Sequence, residues 1–135
     1  MNKQPEMVTA LYYRAARKND TDLNLDNQMY QLLRYAQQHE IGSFVLYADN
    51  GLSGLTLAHP ALMTLWAHIR ARRVKRVIVT SADRISRNTL EGLRFINDAA
   101  KHGAAVISVQ EGGGPLAESE IFSAIRSLVK GGEQR

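Results

Sequence analysis

Cysteine is absent from the 135 residues, which excludes disulfides and thiolate metal sites and leaves the redox compartment open. No apolar run approaches the length needed to cross a bilayer, so no membrane association is expected. The first residues lack a basic segment followed by an apolar one, so no secretory signal is expected and the cytoplasm is the default compartment. Glycines are missing where a dinucleotide fingerprint would need them. The first apolar run gives way instead to Arg14-Ala15-Ala16-Arg17-Lys18, which disfavours nucleotide-cofactor enzymology. His39, His59, His68 and His102 show no ligand spacing. They are expected on surfaces, and neither a metal nor an organic cofactor is expected. No Ser-His-Asp triad, glycosidase carboxylate pair, internal repeat or low-complexity segment stands out.

What is present describes an ordinary globular domain. Hydrophobic residues make up 44% and charged residues 22%, a balance that fits one domain able to bury a core unaided. The formal charge of +4 and pI near 9.6 favour polyanionic partners, although many soluble domains share such values. Arg70, Arg72, Arg73, Lys75 and Arg76 crowd one predicted helix end and the strand behind it. They read first as a solvated helix C-terminus, where cations complement the dipole, rather than as a DNA contact.

Hydrophobic periodicity sets out alternating elements. Val8–Tyr13 is a buried strand. A helix capped by Asp22 or Asn24 buries Leu25, Met29, Leu32, Leu33 and Ala36 and ends at Gly42. Phe44–Tyr47 is the second strand, and Asp49-Asn50-Gly51 and Ser53-Gly54 are turn chemistry. Pro60 opens a helix with Leu62, Leu65, Trp66 and Ile69 inward. Val74 and Val77–Val79 form the third strand. Thr89–His102 is a helix with Leu90, Leu93, Ile96 and Ala100 inward, closed by Gly103, and Ala104–Val109 is the fourth strand. Gly112–Gly114 reads as a hinge before a stripe of Ala117, Ile121, Ile125 and Leu128. Residues 1–7 and 131–135 are expected to be flexible, leaving 8–130 as the domain. Strands alternating with helices imply an α/β single domain, with a mostly parallel sheet of about four strands flanked by helices.

In such a sheet, function collects in the loops after the strand C-termini. Those loops are expected to hold Arg14–Asp20, Asp49–His59, Ser81–Arg87 and Gln110–Gly114. Arg14, Arg84 and Arg87 would converge on one rim. They would repel one another without an anion or a carboxylate among them, and Asp83 is the candidate internal counter-charge. Asp83 and Arg84 as simple anchors of the third helix is the competing structural reading.

Four ordered motifs within about residues 10–109 resemble the catalytic domain of the serine recombinases, the resolvase and invertase family that includes the large serine integrases. These are Tyr12-x-Arg14-x-Ala16, Leu25-x-x-Gln28, Tyr47-x-Asp49-Asn50-Gly51-x-Ser53-Gly54 and Asp83-Arg84-x-Ser86-Arg87. The resemblance implies a resolvase-catalytic-domain-like fold, dimers and tetramers on DNA, and strand cleavage through a 5′-phosphoserine link without metal or cofactor. It implies Arg14, Arg84 and Arg87 as phosphate clamps, Asp83 as their organiser, and Gln28, Asp49 and Ser53 as supports. In-line displacement at phosphorus depends on that kind of charge stabilisation and positioning.

Two positions depart from the pattern. Ala16 stands at the nucleophile position and offers no oxygen to attack phosphorus. His59-Pro60 stands where the family has Arg-Pro, replacing a further guanidinium. Past Val109 the likeness fades, and the residues up to Arg135 leave room for only a short helix, with no visible apparatus for reading a DNA site. The expectation is therefore a catalytically inactive recombinase-like domain. Its expected partners are DNA backbone phosphates and either a second copy or an active recombinase. Two alternatives stay open: a strand-exchange enzyme using Ser53, Ser81 or Ser86, and a protein-interaction domain that binds no nucleic acid.

Overall fold

Alternate side chains of the first strand, β1 (Val8–Ala15), are apolar on both faces, the signature of a strand covered on both sides. In the computed structural model, which describes residues 7–15, 22–50, 59–85, 89–110 and Leu116, β1 is one of the two inner strands. The chain continues through α1 (Asp22–Gln38), β2 (Phe44–Asn50), α2 (Pro60–Arg70), β3 (Val74–Val79), a 3-10 turn (Ala82–Arg84), α3 (Thr89–Lys101) and β4 (Ala105–Ser108). The four strands form one sheet in the order β2-β1-β3-β4, with every pair parallel. The α/β architecture expected from periodicity is the one observed.

The strand order explains where the helices lie. The chain leaves β1 in one direction to form β2, then returns past β1 to form β3 and β4. With crossovers of one hand, that reversal sends the helices to opposite faces. Accordingly Leu11, Tyr13, Ile78 and Ile107 pack with Leu32 of α1. On the other face Tyr12, Val77 and Val106 pack with Leu62, Leu65 and Ile69 of α2 and Phe95 and Ile96 of α3. The direction changes between β1 and β3, and the C-terminal end of that pair is where an open α/β sheet parts to receive a ligand. As the outermost strand, β2 leaves Val45 and Leu46 about two-fifths exposed (42% and 43%).

Several boundaries differ from the sequence expectation. β1 runs two residues beyond Tyr13 and β2 three beyond Tyr47, because their ladder continues through Arg14↔Asp49 and Ala15↔Asn50. Leu33 is 38% exposed, so the α1 stripe is narrower than the periodicity suggested. α3 is rotated: Phe95 and Ala99 are buried beside Leu93 and Ile96, whereas Leu90 and Ala100 face outward. Phe95 drives this, meeting the Trp66 ring edge to face at 5.2 Å, a preferred aromatic geometry. α1 closes through Glu40 (φ 54°), not Gly42, and α2 through Arg72 (φ 58°); the expected Gly103 (φ 81°) closes α3. All three ends make the same i→i−5 amide bond, from Ile41 to Ala36, Arg73 to His68 and Ala104 to Ala99, the Schellman arrangement. The stripe of Ala117, Ile121, Ile125 and Leu128 falls outside the described residues; Leu116 is described and is buried against the α2–α3 core.

A polar clamp locks α2 onto α3. Trp66 Nε1 and Arg70 Nε both donate to Asp98 Oδ2, at 2.5 and 2.8 Å. The Arg70 guanidinium also lies 5.1 Å from the Trp66 ring centre, and His102 Nδ1 is 3.6 Å from the second carboxylate oxygen. Burial acts to raise the Asp98 pKa. The hydrogen bonds from Arg70 and Trp66, with the charges of Arg70 and His102, outweigh it and hold the carboxyl below its usual range. A depressed folded-state pKa contributes stability above the ordinary carboxylate range and loses it as the pH falls through the folded value. Asp98→Asn is therefore expected to flatten the acid limb of the stability profile. The check is a set of denaturation midpoints between neutral pH and about pH 3; profiles that run parallel for variant and wild type would refute the assignment.

Candidate functional site

Arg14 sits at the C-terminal end of β1 with 1% of its surface exposed, the largest fully buried side chain described. Burying a guanidinium is costly, so what its donors meet matters. Its Nε donates to the Arg84 carbonyl oxygen at 2.9 Å, and Arg84 Nη1 donates to the Arg14 carbonyl oxygen at 3.2 Å. Each arginine thus holds the other's main chain. Gln28 of α1 completes the arrangement. Its Oε1 accepts from the Arg14 amide at 3.2 Å and its Nε2 donates to the Arg14 carbonyl at 2.9 Å. One glutamine amide supplies both an acceptor and a donor for the Arg14 main chain, beyond the last β1–β3 pair at Leu11↔Ile78.

Beside this clasp, Asp49 of β2 ties three elements together. Its Oδ2 accepts the Tyr12 hydroxyl at 2.8 Å and the Leu62 amide at 3.0 Å, and its Oδ1 accepts the Ala61 amide at 2.9 Å. Ala61 and Leu62 lie in the first turn of α2, whose amides have no partner within the helix. A carboxylate there satisfies them and suits the helix dipole. Burial raises the Tyr12 pKa first. The hydrogen bond to Asp49 and the Asp49 charge push it further up, against the smaller opposing influence of Arg14. The phenol therefore stays protonated and donating, and it is not a nucleophile.

His59, at the N-cap of α2, is only 1% exposed, and both of its ring nitrogens are buried without a hydrogen-bond partner; the same holds for Arg84 Nε. Buried donors are rarely left unsatisfied. His59 follows the C-terminal end of β2 and Arg84 that of β3, so an acceptor entering at this end of the sheet would find a guanidinium N–H already desolvated. An oxyanion is the ligand chemistry that such donors suit.

The expected site residues divide clearly. Arg14, Gln28 and Arg84 are brought together, and Asp49 stands in register with Arg14 on the neighbouring strand. Arg14 and Asp49 lie within strands rather than in the expected loops, and His59 is buried rather than on a surface. Asp83 falls in the 3-10 turn, but its side chain lies outside the described residues, as do Ala16, Ser53, Ser86 and Arg87. Of the three serines considered as substitutes, Ser81 is described: its carbonyl accepts the Arg84 amide at 3.1 Å. Sequence reasoning assigned Tyr12 no role. Its spacing two residues before Arg14 on a strand, and so on the same face, was the available signal. Among the described residues, no group of His, Cys, Asp and Glu is arranged to hold a metal ion, and no helix is long and apolar enough to cross a membrane.

Comparison with known proteins places this geometry in context. A family model described as resolvase, N terminal domain, matches residues 9–134. Among solved structures, the N-terminal catalytic domain of TP901-1 integrase is 27% identical with a TM-score of 0.77, covering 93% of this chain and 98% of that one. A resolvase family site-specific recombinase from Streptococcus pneumoniae shares the fold at 19% identity and a TM-score of 0.73, covering 96% of this chain and 91% of the other. The C-terminal catalytic domain of ISC1926 TnpA, an IS607-like serine recombinase, shares it at 21% identity and a TM-score of 0.68, covering 91% and 81%. A comparison with curated protein sequences finds no match.

Proposed function

We propose that this chain, which belongs to the resolvase N-terminal-domain family, serves site-specific DNA recombination by gripping a backbone phosphate without cutting it. Residues 8–130 would form the gripping domain. The observation that carries the reading is the Arg14–Arg84 clasp at the sheet's switch point, with Arg84 Nε and the His59 ring nitrogens buried without hydrogen-bond partners after the C-terminal ends of β3 and β2. A phosphate oxygen is the acceptor these donors suit. In this reading Arg87 adds a third guanidinium, Asp83 organises the arginines, and Ser53 supports the loop before His59. Gln28 and Asp49 act as positioning residues, one holding the Arg14 main chain and the other the start of α2. Ala16, two residues beyond Arg14, carries a methyl group where the family pattern has the attacking hydroxyl, so no phosphoserine link can form there. Oligomerisation with itself or with an active recombinase would bring the domain to a crossover site.

The test pairs binding with chemistry. Duplex DNA is expected to bind, and Arg84→Gln is expected to weaken that binding about tenfold or more, the usual worth of a charge-assisted hydrogen bond. No covalent protein–DNA adduct should survive denaturation after incubation with supercoiled DNA. A stable adduct would falsify the inactive assignment in favour of a second reading, cleavage by another hydroxyl. Ser81 is then the first candidate, because it lies in the turn that carries Arg84, and Ser81→Ala should abolish the adduct. Binding indifferent to both salt and Arg84→Gln would instead favour a protein-interaction role, since neutralising phosphates releases counterions.

A further inference from the structure

The opposite end of the sheet carries positive charge that this role leaves unused. Helices antiparallel to the strands deliver their C-termini there, so Arg70, Arg72, Arg73 and Lys101 gather around the start of β3, where Lys75 and Arg76 follow. The structure separates these cations by what occupies them. Arg70 is paired with Asp98, and Arg72 reaches the Lys101 carbonyl at 3.4 Å, at the end of α3. Arg73, Lys75 and Arg76 have no carboxylate within ion-pair distance among the described residues. Lys75 and Arg76 lie on a strand beyond any helix end, so complementing a helix dipole does not account for them.

A sheet irregularity brings the last two together. Val8 pairs with Val74 but Thr9 pairs with Arg76, which leaves Lys75 as an extra residue on β3. In a regular strand consecutive side chains point to opposite faces. A bulge breaks that alternation and re-aims side chains. Here Lys75 and Arg76 line one recess of about 430 Å³ between the starts of β1 and β3 and the 40–43 connection. The Arg76 Nε donates to the hydroxyl of Thr9, a wholly buried residue, at 3.2 Å. That bond fixes the guanidinium plane while leaving its other nitrogens available. Among the described residues, Glu40, held at positive φ, is the one acidic residue lining the recess.

We propose that this recess is a second phosphate site, taking a backbone phosphate of duplex DNA at the far end of the domain from the arginine clasp. The choice of DNA as the source of the phosphate rests on the function proposed above. Thr9 and Arg14 lie five residues apart on one strand, on the order of 15 Å or more, so a single phosphate cannot serve both ends. Pairing this end with a second copy would set unpaired cations against unpaired cations, which disfavours self-association as the occupant. A domain with both contacts can touch two duplex segments at once.

The test measures binding of a short fluorescent duplex to the full chain across a salt series. Lys75→Gln alters an exposed side chain, so folding is not at stake; Lys75→Gln with Arg76→Gln is the stronger variant. Either should weaken binding several-fold, and the double variant should reduce the log–log salt slope by about 1 to 2. Glu40→Gln should tighten binding. Unchanged affinity in the recess variants, with Arg84→Gln still weakening it, would overturn this inference and leave the clasp reading intact. Weakening in the recess variants but not in Arg84→Gln would uphold the recess and overturn the clasp. No binding by wild type at low salt would overturn both. Inorganic phosphate shifting the NMR signals of Thr9 and Lys75, while duplex at matched ionic strength does not, would assign the recess to free phosphate and overturn the DNA contact.

Discussion

Asp49→Ala is expected to lower the unfolding free energy by about 3–5 kcal/mol, because it strands a buried hydroxyl and removes a helix cap together. The carboxylate receives the Tyr12 phenol and the amides of Ala61 and Leu62, and it is 3% exposed. Water cannot readily replace it there. Asp49→Asn should cost less, since one oxygen remains to accept an amide. Tyr12→Phe should be the mildest of the three, and combining it with Asp49→Ala should cost less than the sum, because the two changes share one bond. Urea midpoints read this directly, provided the slope of the transition is unchanged. A loss below about 1 kcal/mol for Asp49→Ala would mean that the start of α2 is held by something else.

The second large effect is a gain. On the function proposed above the wild type forms no adduct, and Ala16→Ser combined with His59→Arg is expected to form a detectable covalent link to DNA when a fused binding module delivers the duplex. Ala16→Ser places an oxygen two residues along the chain from Arg14, and in-line attack then depends on positioning. His59→Arg restores a charge beside the phosphate. It also sets a cation in a buried place at the N-terminus of α2, on the unfavourable side of the helix dipole. The free double variant should therefore be less stable than Ala16→Ser alone, and DNA should recover part of the difference through binding linkage. A folded double variant that binds DNA yet forms no adduct would show that the remaining site is not intact.

Much of this architecture was legible from residue order alone. Alternating apolar runs and amphipathic segments were enough to name a parallel sheet with helices on both faces. Arg14 and Arg84 stand out where apolar strand runs give out, and Gln28 through the resemblance to the serine recombinases. What escaped the reading has a common physical cause. Pattern rules treat charge as a mark of the surface, so the strand was ended at Tyr13, although Arg14 is buried with its Nε held by the Arg84 carbonyl. His59 is expected on a surface because the histidines show no ligand spacing, whereas the residue preceding an N1 proline occupies the N-cap of a packed helix. The rotation of α3 depends on the Phe95–Trp66 contact, which links residues far apart in the chain. The Lys75 bulge appears only when β1 and β3 are aligned. Cooperation between distant segments is invisible to local periodicity, and both proposed phosphate contacts depend on it.

The main-chain exchange between Arg14 and Arg84 spans a separation of 70 residues. During synthesis from the N-terminus, β1, α1 and β2 can pair before the partner turn after β3 has been made. Until then Arg14 Nε lacks the Arg84 carbonyl it donates to, so that contact at the C-terminal end of β1 is missing from the first half of the nascent protein. Closing a loop of that size is also entropically late, as non-local pairing is in parallel sheets generally. The Arg14–Arg84 clasp is consequently a property of the finished molecule, and an N-terminal fragment ending before the turn is expected to be poorly ordered at that strand tip.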